Sequence, residues 1–143
     1  VSPRGVEWEA GPRLATPAGE RAAFEYAVLR VVPRVDRGEF VNGAVLLYCQ
    51  STHYLGVVVR RNLGCVRALA DSADVDAIEA ALGSVSGLVA GAMDRAGTEG
   101  EPGRTFRWLT APRSAVIQPG PVHTGVTDDP ATDLARIAER MLG

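Results

Sequence analysis

From Phe24 to Arg60 the chain runs through three stretches whose apolar side chains recur with a period of two. In the first, Phe24, Tyr26, Val28 and Val32 share one face, and Ala27, Leu29 and Val31 share the other. A strand apolar on both sides is covered on much of both faces, so the pattern predicts a central strand. Pro33 ends it, and Asp36-Arg37-Gly38 supplies turn residues. Phe40 to Cys49 forms the second strand, again apolar on both sides, with Gly43 a candidate bulge. Gln50-Ser51-Thr52-His53 leads into a third strand, Tyr54–Arg60, and places His53 at a hairpin tip. Three strands with short connections predict an antiparallel meander.

The period then changes. Val75, Ile78, Leu82, Val85 and Val89 recur at spacings of three and four, which predicts an amphipathic helix over Asp74–Met93. Asp71, Asp74 and Asp76 crowd its start, where the helix dipole favours negative charge. Gly83, Gly87 and Gly91 recur on every fourth position, and close packing of this helix onto the sheet would explain them. The apolar stretch Ala80–Met93 falls short of the ~20 residues that span a bilayer, so no membrane partner is expected. Ala96–Arg104 reads as a loop, and Phe106–Thr110 and Ala115–Gln118 as two further strands joined by Ala111–Ser114. Pro119-Gly120-Pro121 breaks the pattern, and Asp129-Pro130 starts a last helix with Leu134, Ile137, Met141 and Leu142 on its buried face. The order βββ-α-ββ-α predicts an α+β domain over residues 23–143, a mainly antiparallel five-stranded sheet with two helices packed on it. Residues 1–22, rich in Pro, Gly, Ala and charge, read as a flexible arm, with docking of Trp8 as the alternative.

Composition narrows the chemistry. With 143 residues, 46% of them hydrophobic, and a net charge of −2, the chain suits one soluble globular domain. All 15 basic residues are arginine. Without lysine there is no Schiff base, no P-loop phosphate grip and no kinase strand lysine. Anion recognition then falls to arginine, histidine or backbone N–H groups. Eight aromatics in a net-acidic chain argue against a nucleic-acid platform. Cys49 and Cys65 form no C-x-x-C pair, and His53 and His123 sit in no metal-binding spacing, so no metal and no cofactor are expected. No charged start followed by an apolar stretch opens the chain, and the expectation is a cytoplasmic protein with reduced thiols.

Two blocks far apart in the chain carry a resemblance. The first is Tyr26-Ala27-Val28-Leu29-Arg30-Val31-Val32-Pro33 with Arg37-Gly38-Glu39-Phe40-Val41-Asn42. The second is Phe106-Arg107-Trp108-Leu109-Thr110-Ala111-Pro112-Arg113-Ser114, followed by Gln118-Pro119 and Val122-His123-Thr124-Gly125. Together they resemble the domain-of-unknown-function 3037 family, over roughly Phe24 to Leu142. Members usually carry a bulky residue and then glycine after the asparagine, where this chain has Gly43-Ala44. The resemblance implies a small accessory protein. Because members are often encoded beside HipA-like kinases, it also implies a kinase-like protein partner. It carries no catalytic residues onto this chain.

Charge is segregated along the sequence. Residues 41–70 hold Arg60, Arg61 and Arg67 without an acid, residues 104–127 hold Arg104, Arg107 and Arg113 without an acid, and residues 71–100 hold six acids against Arg95. Basic strands facing the acidic helix or solvent would account for this. So would an anion site built from Arg30, Arg107 or Arg113. The stretch Thr110–Asp129 adds Ser114, Gln118 and His123 on a proline-stiffened segment, and Asn42 places an amide in an apolar strand. Local roles compete here: Ser114 in a turn, Asp129 as a helix cap, Asn42 bracing a neighbour. No G-x-S-x-G elbow surrounds Ser114, which argues against a triad with His123 and Asp128.

Two functions follow from different classes. One is a non-catalytic accessory protein that binds a partner through the arginine-rich end of the sheet. The other is a small enzyme or ligand-binding domain for a phosphate or carboxylate, with candidate residues Arg30, Asn42, Arg107, Arg113, Ser114, Gln118 and His123. In the second, arginine clamps the anion and His123, whose ordinary pKa is ~6.5, exchanges a proton. Convergence of these residues in a concave pocket favours the second, and dispersal beside an exposed apolar patch favours the first.

Overall fold

The computed structural model describes residues 21–95 and 100–143. The expected arm lies outside them except at its end, where Ala22 already opens the first strand. The elements are β1 (Ala22–Val31), β2 (Val41–Cys49), β3 (Tyr54–Val59), α1 (Gly64–Leu69), α2 (Val75–Asp94), α3 (Glu101–Leu109), β4 (Ile117–Pro119), β5 (His123–Thr127) and α4 (Pro130–Leu142).

The expected meander forms. β1 pairs antiparallel with β2, and β2 with β3. Turn chemistry acts where the residues predict it: Gly38 takes φ 74° to close the β1–β2 connection, and His53 takes φ 54° at the β2–β3 tip. The register slips between Leu29/Arg30, where Leu29 faces Ala44 and Arg30 faces Asn42, so Gly43 is the extra residue of a bulge. Only glycine fits there, because a Cβ on Gly43 would lie 2.7 Å from Val31 Cγ2.

The sheet is antiparallel and has five strands, as the patterning predicts, and it is buried on both faces. Leu29, Val31, Leu46, Val57 and Val59 meet Ile78, Leu82, Val85 and Val89 of α2 and Phe106 of α3 on one side. Phe24, Val28, Val45, Leu47, Tyr54 and Val58 meet Leu134, Ile137 and Ala138 of α4 on the other. The result is a helix–sheet–helix sandwich. Asp74 caps α2, accepting from Ala77 N–H at 3.0 Å, and Pro130 opens α4.

Several expectations are corrected. The helices number four rather than two among the described residues, and Glu101–Arg104, expected in a loop, opens α3. Phe106–Thr110 is not a strand: Phe106–Leu109 ends α3 and Thr110 is its C-cap. Its five residues read as alternating because Phe106 and Trp108 fit a period of two. The helix instead buries Pro102, Phe106 and Leu109, at spacings of four and three, and turns Trp108 outward. The fifth strand is β5, within the stretch that reads as a stiff loop. Leu29 pairs with Pro119 and Tyr26 with His123, so β4 and β5 line the same side of β1 with one extra residue between them. Prolines fit because this is a sheet edge, where a missing N–H is tolerated. The glycines of α2 do not pack on the sheet: a Cβ at Gly83 or Gly87 meets nothing within 4 Å, and one at Gly91 meets only Arg95. At 20 residues and a mean hydropathy of 1.3, α2 is long and apolar enough to cross a membrane by length and composition alone, and exceeds the stretch Ala80–Met93. Its buried stripe is taken up by the sheet.

Candidate functional site

The helices sit off-centre. α2 packs chiefly over β3 and α4 over β2, so the β1–β4 side of the sheet has little helix above it. Next to α2 this leaves an apolar groove of about 410 Å³, floored by Leu29 and Ile117 and walled by Val85 and Leu88 of α2 and Trp108 of α3. A second depression of about 270 Å³ continues it past Ala81 and Val116 toward the start of α2. Trp108 is 59% exposed, and Leu88 and Val116 are also exposed. Arg113 stands at the rim with its guanidinium 4.7 Å from the Trp108 ring centroid. It donates to the carbonyls of Trp108 and Ala111. Those acceptors are neutral, and among the described residues no carboxylate pairs with Arg113.

The other candidates do not gather around it. Arg107 reaches from α3 to β1 and holds Glu25 with two bonds of 2.9 and 2.7 Å. The guanidinium keeps the Glu25 carboxyl below its ordinary value, and Glu25 raises Arg107 in return. Beside them Tyr48 stacks on Phe106 at 5.5 Å, and burial pushes its hydroxyl up. Arg107 and Phe106 thus fasten α3 to the sheet.

On the opposite, α4 side, directly paired residues share a face. Arg30 faces both Asn42 and Gln118, and Tyr26 faces His123. Arg30 lies 4.2 Å from the Phe40 ring centroid. Asn42 donates to Met141 O at 3.1 Å, bracing the end of α4, and its own carbonyl accepts from Arg60 Nε at 2.7 Å. Gln118 donates to Ala115 O at 2.8 Å. His123 is exposed, its ring 5.1 Å from that of Tyr26. Tyr26 and Arg30 are four residues apart, so His123 and Arg30 are separated by roughly 13 Å along the strand. Ser114 is exposed in the turn after α3. The expected meeting of guanidinium groups and an imidazole over one β platform does not form, because Arg107 and Arg113 belong to the α3 side.

Three groove residues escape sequence reasoning. Trp108 is hidden by the false strand, and Val116 lies in a short turn-like segment. Leu88 carried a usable signal: it is a large apolar residue out of phase with the stripe Ile78, Leu82, Val85, Val89.

No curated protein and no solved structure matches the chain. Residues 26–142 match the family described as protein of unknown function (DUF3037), a span that holds both sequence blocks and every element from β2 to α4, and the chain belongs to the DUF3037 family.

Proposed function

We propose that the chain is a non-catalytic binding protein. Its occupant is an amphipathic helix of a partner protein, which lays an apolar side into the α2–α3–β4 groove and sets a carboxylate against Arg113. The observation that carries this reading is Trp108, left 59% exposed at the rim of an apolar groove. Contiguous exposed apolar surface marks interaction sites, and Trp and Arg are the residues most enriched among binding hot spots. One feature supports it further. Arg113 offers a charge that no carboxylate of the described residues compensates.

The resemblance makes a HipA-like kinase the first partner to test. Purified kinase is titrated into the chain in a Trp8→Phe background, so that fluorescence reports Trp108. Binding shifts the emission to the blue, and Trp108→Ala, read by titration calorimetry because it leaves no tryptophan in this background, weakens affinity at least tenfold, about 1.4 kcal/mol, with the far-UV spectrum unchanged. Wild-type affinity in both Trp108→Ala and Arg113→Ala refutes the groove as the docking surface. The anion-site reading has less support, since Arg107 is taken up by Glu25 and the other candidates are split between the two faces of the sheet. Thermal stabilisation by a phosphorylated metabolite, abolished in Arg30→Ala, would restore it.

A further inference from the structure

The two edges of the sheet differ. At β3 all six residues are buried, and Leu55 N–H donates to Met93 Sδ of α2 at 3.3 Å. Along the other edge, β5 packs closely against β1 alone among the described elements. His123, Thr124 and Val126 are exposed, Val126 by 55%.

Backbone alternation says which groups point away. Gly120 N–H donates to Val28 O and Val32 N–H to Val116 O, so even-numbered β1 residues present their N–H and C=O to this edge. His123, Gly125 and Thr127 pair with even-numbered Tyr26, Phe24 and Ala22 and therefore turn inward. Thr124 and Val126, opposite Glu25 and Ala23, present their N–H and C=O outward. Sheet edges are ordinarily protected by proline, charge or cover. Pro119 and Pro121 guard the β4 half, whereas Val122–Thr127 contains no proline, Asp, Glu, Lys or Arg.

We propose that a second copy of this chain covers the edge, β5 pairing antiparallel with β5 about a two-fold axis. Antiparallel pairing of a strand with itself is the arrangement two-fold symmetry allows. It sets Thr124 of one copy opposite Val126 of the other, so both outward residues of each copy are bonded and two β-branched side chains meet on each side. The segments carry no acid and no arginine, so identical strands approach without such repulsion. The nearest acid along the chain, Asp128, lies 3.5 Å from Arg21 of its own copy, and Glu25, opposite Thr124 on β1, is held by Arg107. A five-residue edge buries less than a standard interface, so the association is reversible and concentration-dependent.

Sedimentation velocity over a concentration series tests this, with amide hydrogen exchange at its two ends. The wild type passes from one to two chain masses, and the Thr124 and Val126 amides slow as the dimer fills. Val126→Pro removes an outward N–H and leaves the inward bonds of Gly125 and Thr127. Val126→Asp brings two like charges together at an exposed position, so it tests the edge even if the proline variant misfolds. Each raises the dissociation constant at least tenfold. A chain that stays monomeric throughout, or a dimer that folded variants leave intact, overturns the proposal.

Discussion

Replacing Gly83 and Gly87 by alanine tests the open outer face of α2 directly. Both residues lie in the helix interior, with neither among the glycines that have positive φ. An added Cβ meets nothing within 4 Å at either position. Glycine in a helix interior is less stable than alanine by roughly 0.5–1 kcal/mol, chiefly through the entropy of the unfolded chain. The gain at each site is chiefly local chain entropy, so the double variant gains about 1–2 kcal/mol. For a domain of this size that raises the melting temperature by roughly 3–8 °C. Circular dichroism with thermal and urea denaturation measures it. Neither glycine lines the groove, so the variants bind the partner with wild-type affinity while folding more stably. A fall in melting temperature, or none of the gain, means that this face is covered, and the reasoning from open space then fails.

Gly43→Ala has the opposite sign, because its Cβ would enter the space of Val31 Cγ2 at 2.7 Å in a packed layer. Denaturant unfolding should show a loss of about 1–3 kcal/mol, and an unchanged midpoint would refute the bulge geometry. Glu25→Gln tests the staple between α3 and β1. The folded-state pKa of Glu25 is lowered by Arg107, so its stabilisation is complete above the ordinary value of 4.5 and is lost as pH falls through the lower folded value. The variant is therefore less stable than wild type at neutral pH, and the gap closes in acid. A gap independent of pH would assign the effect to packing rather than charge.

Local chemistry made much of the fold legible. Both faces of β1 and β2 are apolar, and that alone requires cover on two sides, which α2 and α4 provide. Gly38, Gly43, Asp74 and Pro130 each announce a turn, bulge, cap or start because the backbone there needs that residue type. α3 and β5 were illegible for opposite reasons. Five residues of α3 fit two periods equally, and only its packing against Tyr48 decides between them. β5 is polar because it is an exposed edge, so it carries no hydrophobic pattern to read.

The candidate site divides the same way. That arginines would have to do any anion binding follows from the absence of lysine. Which arginines already have partners does not, since Glu25 and Arg107 are 82 positions apart and meet only when α3 lands on β1. The chain's own residues determine two-sided burial, turn positions and helix ends, because these depend on neighbours within a few positions. The tertiary structure alone decides where the helices leave the sheet bare. That is set by the offset of α2 and α4 toward β2 and β3, a balance of long-range packing that no local window contains.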